Sequence, residues 1–173
     1  MLGLERDKVI LSPHRNAWAR LFEEEKGRLN KAIGTGVLDI QHVGSTSVPG
    51  LKAKPILDIG VAVENFEEAF TLVSHVEGLG YTYRGERGVA RRHLFVKGPP
   101  ENRTHHLHML EAMSGDWRTL LRFRDQLRIH PATAAAYQTL KEDLATKFGT
   151  NRKAYTDGKH DFIQKALREA RSQ

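Results

Sequence analysis

The chain has 173 residues, with 27 lysines and arginines against 21 aspartates and glutamates, and it contains no cysteine. This length and a hydrophobic content of 39% predict one folded domain with an ordinary core. The lack of cysteine excludes disulfides, thiolate metal sites and thiol nucleophiles. No stretch approaches the roughly 20 apolar residues of a membrane span, and the charged N-terminus lacks an apolar signal segment. We therefore expect a cytoplasmic protein with no membrane partner.

The charge is divided unevenly between the two halves of the chain. Residues 1–78 carry 9 basic and 11 acidic side chains, whereas residues 79–173 carry 18 basic and 10 acidic ones. This asymmetry predicts an anionic partner for the second half, and the alternative is a surface that only confers solubility. Aromatic residues make up 8% of the chain and form no glycine–aromatic RNA-recognition motif, which argues against nucleic acid. A nucleotide or another phosphate-bearing small molecule is the expected partner.

Hydrophobic periodicity and turn residues divide the chain into helices and strands. Ser12 and Pro13 suit the start of the first helix, and Asn65 suits the N-cap of the second. In chain order we expect a helix over 13–33, a strand over 37–43, a small-residue turn over 44–47, a strand over 56–63, a helix over 65–77, strands over 81–84, 92–97 and 104–111, and helices over 115–130, 132–148 and 151–171. These elements predict an α+β fold with a mixed sheet of about five strands flanked by helices. An α/β core over 1–113 and basic C-terminal helices over 114–173 are expected to pack as one compact domain.

The first candidate site is a small-residue turn that follows the first strand and consists of Gly44, Ser45, Thr46 and Ser47. Such a turn presents backbone N–H groups and a hydroxyl to a phosphate when it opens a helix. Asp58 lies on the next strand, thirteen positions after Ser45, with Lys54 between them. A carboxylate there is placed to hold the divalent metal that neutralises the same phosphate. The alternative is a structural turn beside a buried aspartate.

The second candidate site is a histidine pair on the last strand. His106 and His108 share one strand face with Leu110, while the residues between them face the other way. Two imidazoles at this spacing suit one metal ion or one phosphate, and Asp58 on a neighbouring strand would complete a set of two histidines and one carboxylate.

Basic and aromatic side chains supply the third candidate set. Bidentate arginines and lysine point charges are what polyphosphate recognition requires, although solvated helix faces are often equally basic. The candidates are Arg92, Lys97, Arg103, Arg124, Arg128, Lys141, Tyr155 and Lys159.

Several blocks in this order resemble the signature of the GrpB family. They are the run from His42 to Ile59, Arg103-Thr-His-His-Leu-His108, Phe123-Arg-Asp-Gln-Leu-Arg128, Tyr137-Gln-Thr-Leu-Lys141 and the late Tyr155, Lys159 and Phe162. The resemblance implies a nucleotidyltransferase-like fold of the DNA polymerase β type. Members of the family occur alone and as a domain appended to dephospho-coenzyme A kinase.

The superfamily pattern has a Gly-Ser turn, a strand with two carboxylates one residue apart, and a third carboxylate on a later strand. This chain has Asp58 at the first carboxylate position but Gly60 at the second, and His106 and His108 on the later strand. The resemblance implies nucleotidyl transfer from a nucleoside triphosphate with Mg or Mn, to an acceptor that the sequence does not identify. The departure matters, because two-metal transfer needs acidic ligands, and one aspartate with two histidines more naturally holds a single metal. Two alternatives stay open: a catalytically degenerate module that binds a nucleotide or coenzyme A, and a single-metal hydrolase, with Zn as one possible metal, centred on Asp58, His106 and His108.

Overall fold

A single mixed sheet organises the chain, whose computed structural model describes residues 1–170. Its five strands are β1 (Asp39–Val43), β2 (Leu57–Val63), β3 (Tyr81–Tyr83), β4 (Arg92–Lys97) and β5 (His105–Glu111). They lie in the order β1-β2-β5-β4-β3, and only the β2–β5 pair is parallel among these strands. The predicted α+β architecture with a mixed five-stranded sheet is confirmed.

Seven α-helices surround this sheet within the described residues. They are α1 (Ala17–Ile33), α2 (Phe66–Ala69), α3 (Val73–Glu77), α4 (Gly115–Ile129), α5 (Pro131–Lys147), α6 (Arg152–Asp157) and α7 (His160–Glu169). Short 3-10 turns occupy Gly34–Gly36, Ser45–Ser47 and Phe70–Leu72. The side chain of Ser114 accepts a hydrogen bond from the backbone N–H of Trp117. This N-cap fixes where α4 begins after β5.

Three helices depart from the sequence-based expectation. The first begins at Ala17 rather than residue 13, because the backbone of Ser12 is paired with that of Ala53 and is not free to cap a helix. The helix expected over 65–77 is split into α2 and α3 by a 3-10 turn. The last helix is split at Gly158, where a Cβ atom would lie 2.5 Å from a methyl of Leu144. Its expected end at residue 171 lies outside the described residues.

The two faces of the sheet have different environments, as the alternation along β2 and β5 predicts. Leu57, Ile59, Val61 and Val63 of β2 point into the main core, which also contains Trp18, Phe22 and Leu29 of α1. The opposite face meets α4 through Trp117, Ala62 and Leu110. Asp58 of β2 and His106 and His108 of β5 lie on this second face, whereas His105 faces Tyr81 on the side of the main core. The division into 1–113 and 114–173 stays a prediction.

Candidate functional site

A wide cleft of about 1220 Å³ opens on the second face of the sheet. Residues of β2, β4 and β5 form its floor, and α6, α7, the N-terminal segment and the β3–β4 loop form its walls. Ten basic side chains line it: Arg6, Lys54, Arg84, Arg87, Arg92, Arg103, Lys141, Arg152, Lys153 and Lys159. The acidic side chains in its lining are Asp7, Asp58 and Asp157. The cleft is therefore strongly cationic.

Asp58 and the two predicted histidines meet on the floor of the cleft. The parallel register of β2 and β5 places Asp58 opposite His106, with Gly60 opposite His108. Nδ1 of His106 is 3.3 Å and Nε2 of His108 is 3.7 Å from the same carboxylate oxygen, Oδ1 of Asp58. Strand pairing thus brings together residues that are 48 and 50 positions apart in the chain.

An arginine lies on the far side of each imidazole. Nη2 of Arg152 is 3.3 Å from Nε2 of His106, and Nη1 of Arg92 is 3.5 Å from Nδ1 of His108. Because a guanidinium only donates hydrogen bonds, the ring nitrogen that faces it must accept, and the proton lies on the nitrogen that faces Asp58. The geometry therefore fits two imidazoles that each turn an N–H group towards one carboxylate, with the closer contact from His106.

The charges around this carboxylate shift several pKa values. Burial by itself raises the pKa of Asp58, but the interactions with His106 and His108 outweigh it and hold that pKa far below its ordinary value. The pKa of His106 is lowered, chiefly by burial, and the Arg152 charge adds to the effect. Asp58 is consequently an anion and His106 a neutral group at physiological pH.

Two lysines, Lys54 and Lys159, interact electrostatically with Asp58, and a third, Lys141, interacts with both of them. Nζ of Lys54 and Nζ of Lys159 lie 5.4 and 4.6 Å from the centre of the Tyr155 ring. Lys141 is 1% exposed, and its Nζ donates to the backbone carbonyl of Lys52. Burial, reinforced by neighbouring cations, lowers the pKa of Lys54 and of Lys159 to about 8 and that of Lys141 to about 7.

The Gly-Ser turn adjoins Asp58 directly. Gly44 has a φ of +69°, and a Cβ atom there would lie 2.6 Å from Oδ2 of Asp58, so both conformation and space require glycine. Ser45 and Thr46 line the cleft. Ser47 does not line it, and its hydroxyl donates to the Gly44 carbonyl at 2.6 Å.

Arg124 and Arg128 hold the same turn from behind. Nη1 of Arg124 donates to the carbonyl of His42 at 3.1 Å, and Nε and Nη2 of Arg128 donate to the carbonyl of Ser47 at 3.1 and 2.8 Å. Both arginines line a separate pocket of about 240 Å³ and are absent from the lining of the main cleft. The structure thus places them as supports of the turn, away from the position at which a ligand would touch Asp58.

Lys97 also lies away from the cleft. Its Nζ is 2.7 Å from Oε1 of Glu25 and 5.0 Å from the centre of the Tyr81 ring. The remaining predicted residues line the cleft: Ser45, Thr46, Lys54, Asp58, Arg92, Arg103, His106, His108, Lys141, Tyr155 and Lys159.

Several residues that line the cleft were not predicted from the sequence. Arg152 lies at helical spacing from Tyr155 and Lys159. The pattern that predicted those two residues therefore also indicates Arg152. Arg6, Arg84 and Arg87 reach the cleft from an N-terminal segment and a glycine-containing loop, and no local pattern marks them.

The structure also explains why the second carboxylate position holds glycine. A Cβ atom on Gly60 would lie 2.9 Å from Cζ3 of Trp117, so the indole ring of α4 fills the space that a side chain there would need. Within residues 1–170 no group of three or more histidines, cysteines or acidic residues is arranged to hold a metal ion. The ring nitrogens of His106 and His108 face Asp58 on one side and an arginine on the other. The predicted metal site stays a prediction.

Fold and site together define an α+β protein with a cation-lined cleft around one aspartate. The sequence profile of the family described as GrpB protein matches residues 8–169, and the chain belongs to the GrpB family. The crystal structure of the conserved protein GrpB from Enterococcus faecalis is similar, with a TM-score of 0.86 and 40% identity, covering 93% of this chain and 96% of that one.

Related sequences include proteins of different lengths. Glutamate-rich protein GrpB from Alkalihalophilus pseudofirmus is 36% identical, over 98% of this chain and 99% of its own length. UPF0157 protein YqkA from Bacillus subtilis is 38% identical over 95% of this chain, which spans about half (48%) of YqkA. A dephospho-CoA kinase from Mycolicibacterium paratuberculosis is 24% identical over 96% of this chain and 47% of its own length. Across residues 1–170, no helix is both long and apolar enough to cross a membrane.

Proposed function

We propose that the cleft binds the phosphate groups of a nucleotide-type small molecule. The observation that carries this proposal is the charge of the lining, with ten basic side chains against three acidic ones. Two of those acids already have cationic neighbours, since Asp157 is 2.5 Å from Nζ of Lys153 and Asp7 is 4.0 Å from Nε of Arg6. Asp58 is the third acid of the lining, and a polyanionic ligand would relieve the mutual repulsion of the cations around it.

The side chains around Asp58 suggest how the phosphates would lie. Ser45 offers a hydroxyl, while Lys54, Lys159 and Arg152 offer positive charge. The hydroxyl of Thr46 is already 3.0 Å from Nε2 of His42. The volume of about 1220 Å³ exceeds the usual range of small-molecule sites, roughly 300–1,000 Å³, and has room for a whole nucleotide.

A divalent cation in this proposal arrives with the ligand. Mg²⁺ is commonly held by one or two carboxylates together with substrate phosphates, so a single carboxylate suits a metal that the phosphates help to bind. Asp58 is the residue that would contact Mg or Mn there, and the metal would neutralise phosphate charge. Nucleotidyl transfer to a small acceptor is the reaction proposed for this arrangement.

A second candidate function is nucleotide or coenzyme A binding without catalysis. The contact between Gly60 and Trp117 favours it, because that contact leaves no room for a second metal-binding carboxylate on β2. The relative named as a dephospho-CoA kinase makes coenzyme A precursors reasonable test ligands.

Thermal unfolding with a panel of nucleotides and coenzyme A precursors, with and without Mg, Mn or Zn, tests the proposal. A ligand at 100 times its Kd stabilises by about 2.7 kcal/mol, which for a chain of this length raises Tm by roughly 5–10 °C. We expect Lys159→Gln to abolish most of the shift, whereas Lys31→Gln, an exposed site on α1, should leave it intact. No shift with any phosphate compound would contradict the proposal.

Asp58→Asn separates the two candidate functions. For a transferase, the metal dependence of binding and the nucleotide turnover should both disappear in this variant. For a binding module, nucleotide affinity should persist and no turnover should be present in either protein. A shift of the wild type with Zn alone would instead favour the single-metal hydrolase.

A further inference from the structure

A second cationic group lies in the same cleft, away from Asp58. It is centred on Arg103, which is 4% exposed although its guanidinium carries a full charge. Nη1 of Arg103 donates to the carbonyl of Gly98 at 2.6 Å, and no other hydrogen bond or ion pair of this side chain occurs within residues 1–170. A guanidinium has five N–H donors, so most of its hydrogen-bonding capacity has no protein partner.

The charges near Arg103 are mostly of the same sign. It interacts electrostatically with Arg6, Arg84 and Arg152, and with the acidic side chain of Glu101. Burial, together with these cations, lowers the pKa of Arg103. Arg84 is exposed, and throughout residues 1–170 its side chain has no hydrogen bond or ion pair. A cluster of this kind destabilises the folded protein unless an anion neutralises it.

Chain geometry separates this group from the Asp58 end of the cleft. Arg103 is held beside the start of β5 by two backbone hydrogen bonds with Leu4. It precedes His106 by three residues, which at about 3.3 Å per extended residue is about 10 Å. Arg152 interacts electrostatically with Asp58 and also with Arg6 of the second group.

We propose that Arg103, Arg6 and Arg84 form a second anion subsite, so that the cleft takes a nucleotide with two separate phosphate groups, one at each end. This inference rests on the proposed function for the first phosphate group, at Asp58, Lys54 and Lys159. The arginine subsite adds specificity, because its bidentate donors match the oxygens of a phosphate.

Calorimetric titration with two probes tests the subsite. The probes are adenosine 5′-diphosphate and adenosine 3′-phosphate 5′-diphosphate, which differ by one phosphate on the opposite side of the ribose. The wild type should bind the second probe about tenfold more tightly, as expected for a charge-assisted bidentate contact. Arg103→Gln should bring the two affinities together with little change for the first probe, whereas Lys159→Gln should weaken both alike.

The exposed arginine provides a variant that does not depend on a buried position. Arg84→Gln should reduce the preference for the second probe by about threefold and should not lower Tm, since within residues 1–170 this side chain has no hydrogen bond or ion pair to lose and its charge adds to the repulsion on Arg103. Equal affinity of the wild type for both probes, or an unchanged preference in Arg84→Gln and in folded Arg103→Gln, would overturn the second subsite alone. Failure of both probes to bind the wild type would overturn the proposed function as well.

Discussion

The lysines beside Asp58 should lower the free energy of unfolding of the ligand-free protein, because their charges are buried. Lys159 has an ordinary pKa of 10.5, and its environment lowers this to about 8 in the folded chain. Displacing a pKa costs about 1.4 kcal/mol for each pH unit, which sets a ceiling of about 3.5 kcal/mol on the destabilisation by this one group. Contact with the Tyr155 ring offsets part of that cost.

Replacement of Lys159 by methionine removes the charge and keeps an unbranched apolar stem. We expect Lys159→Met to raise the free energy of unfolding by about 1–3 kcal/mol at pH 7, equivalent to a Tm increase of roughly 2–12 °C. The control is Lys31→Met, because Lys31 is exposed on α1 and the same replacement there removes no buried charge. Thermal unfolding followed by circular dichroism measures both variants against the wild type.

The pH dependence gives the sign of the effect. Between pH 8 and pH 10.5 the unfolded chain binds more protons at Lys159 than the folded chain does, so wild-type stability from this group rises with pH. The advantage of Lys159→Met should therefore be complete below pH 8 and disappear towards pH 10.5. A variant that is less stable than wild type at pH 7, or whose advantage is the same at every pH, would refute the reasoning.

Three further substitutions test the packing of charge and backbone. Asp58→Asn should lower the free energy of unfolding by about 2–4 kcal/mol in urea titrations, because it removes the carboxylate shared by buried cationic and imidazole groups. The pKa of Asp58 is held below its ordinary value of 3.8, so the loss of stability should be complete near neutral pH and should shrink as the pH falls below 3.8. A loss of the same size at every pH would contradict this reasoning. Glu25→Gln should lower the free energy of unfolding by about 3–5 kcal/mol, because Glu25 is 1% exposed and binds the Tyr81 hydroxyl at 2.9 Å and two cationic groups. Calorimetric unfolding that shows no loss would rule this out. Gly44→Ala should lower the free energy of unfolding by about 1–3 kcal/mol in urea titrations, because Gly44 has a positive φ and a new Cβ would contact Asp58. The control is Gly27→Ala in α1, which has nothing within 4 Å of the new methyl and should stabilise by about 0.5–1 kcal/mol.

The sequence by itself determined the sheet and the faces of its strands. Alternation along β2 separated Leu57 and Ile59 from Asp58, and alternation along β5 placed His106 and His108 on one face, as the structure confirms. These patterns are local, because a side chain in a strand points to the side opposite its neighbours, whatever the rest of the fold does. Helix ends were less well determined, since Ser12 was free to cap a helix in the sequence but is paired with Ala53 in the fold.

Only the tertiary structure decided which charges share the cleft. Lys97 and Lys54 look alike in the sequence, yet one is bound to Glu25 and the other lines the cleft beside Asp58. Likewise, Arg124 and Arg128 turned out to hold the Gly-Ser turn from behind. The function of a long cationic side chain depends on the groups within a few ångströms of its tip. Those groups come from distant parts of the chain, and pairing and packing bring them together, so local sequence patterns carry no record of them.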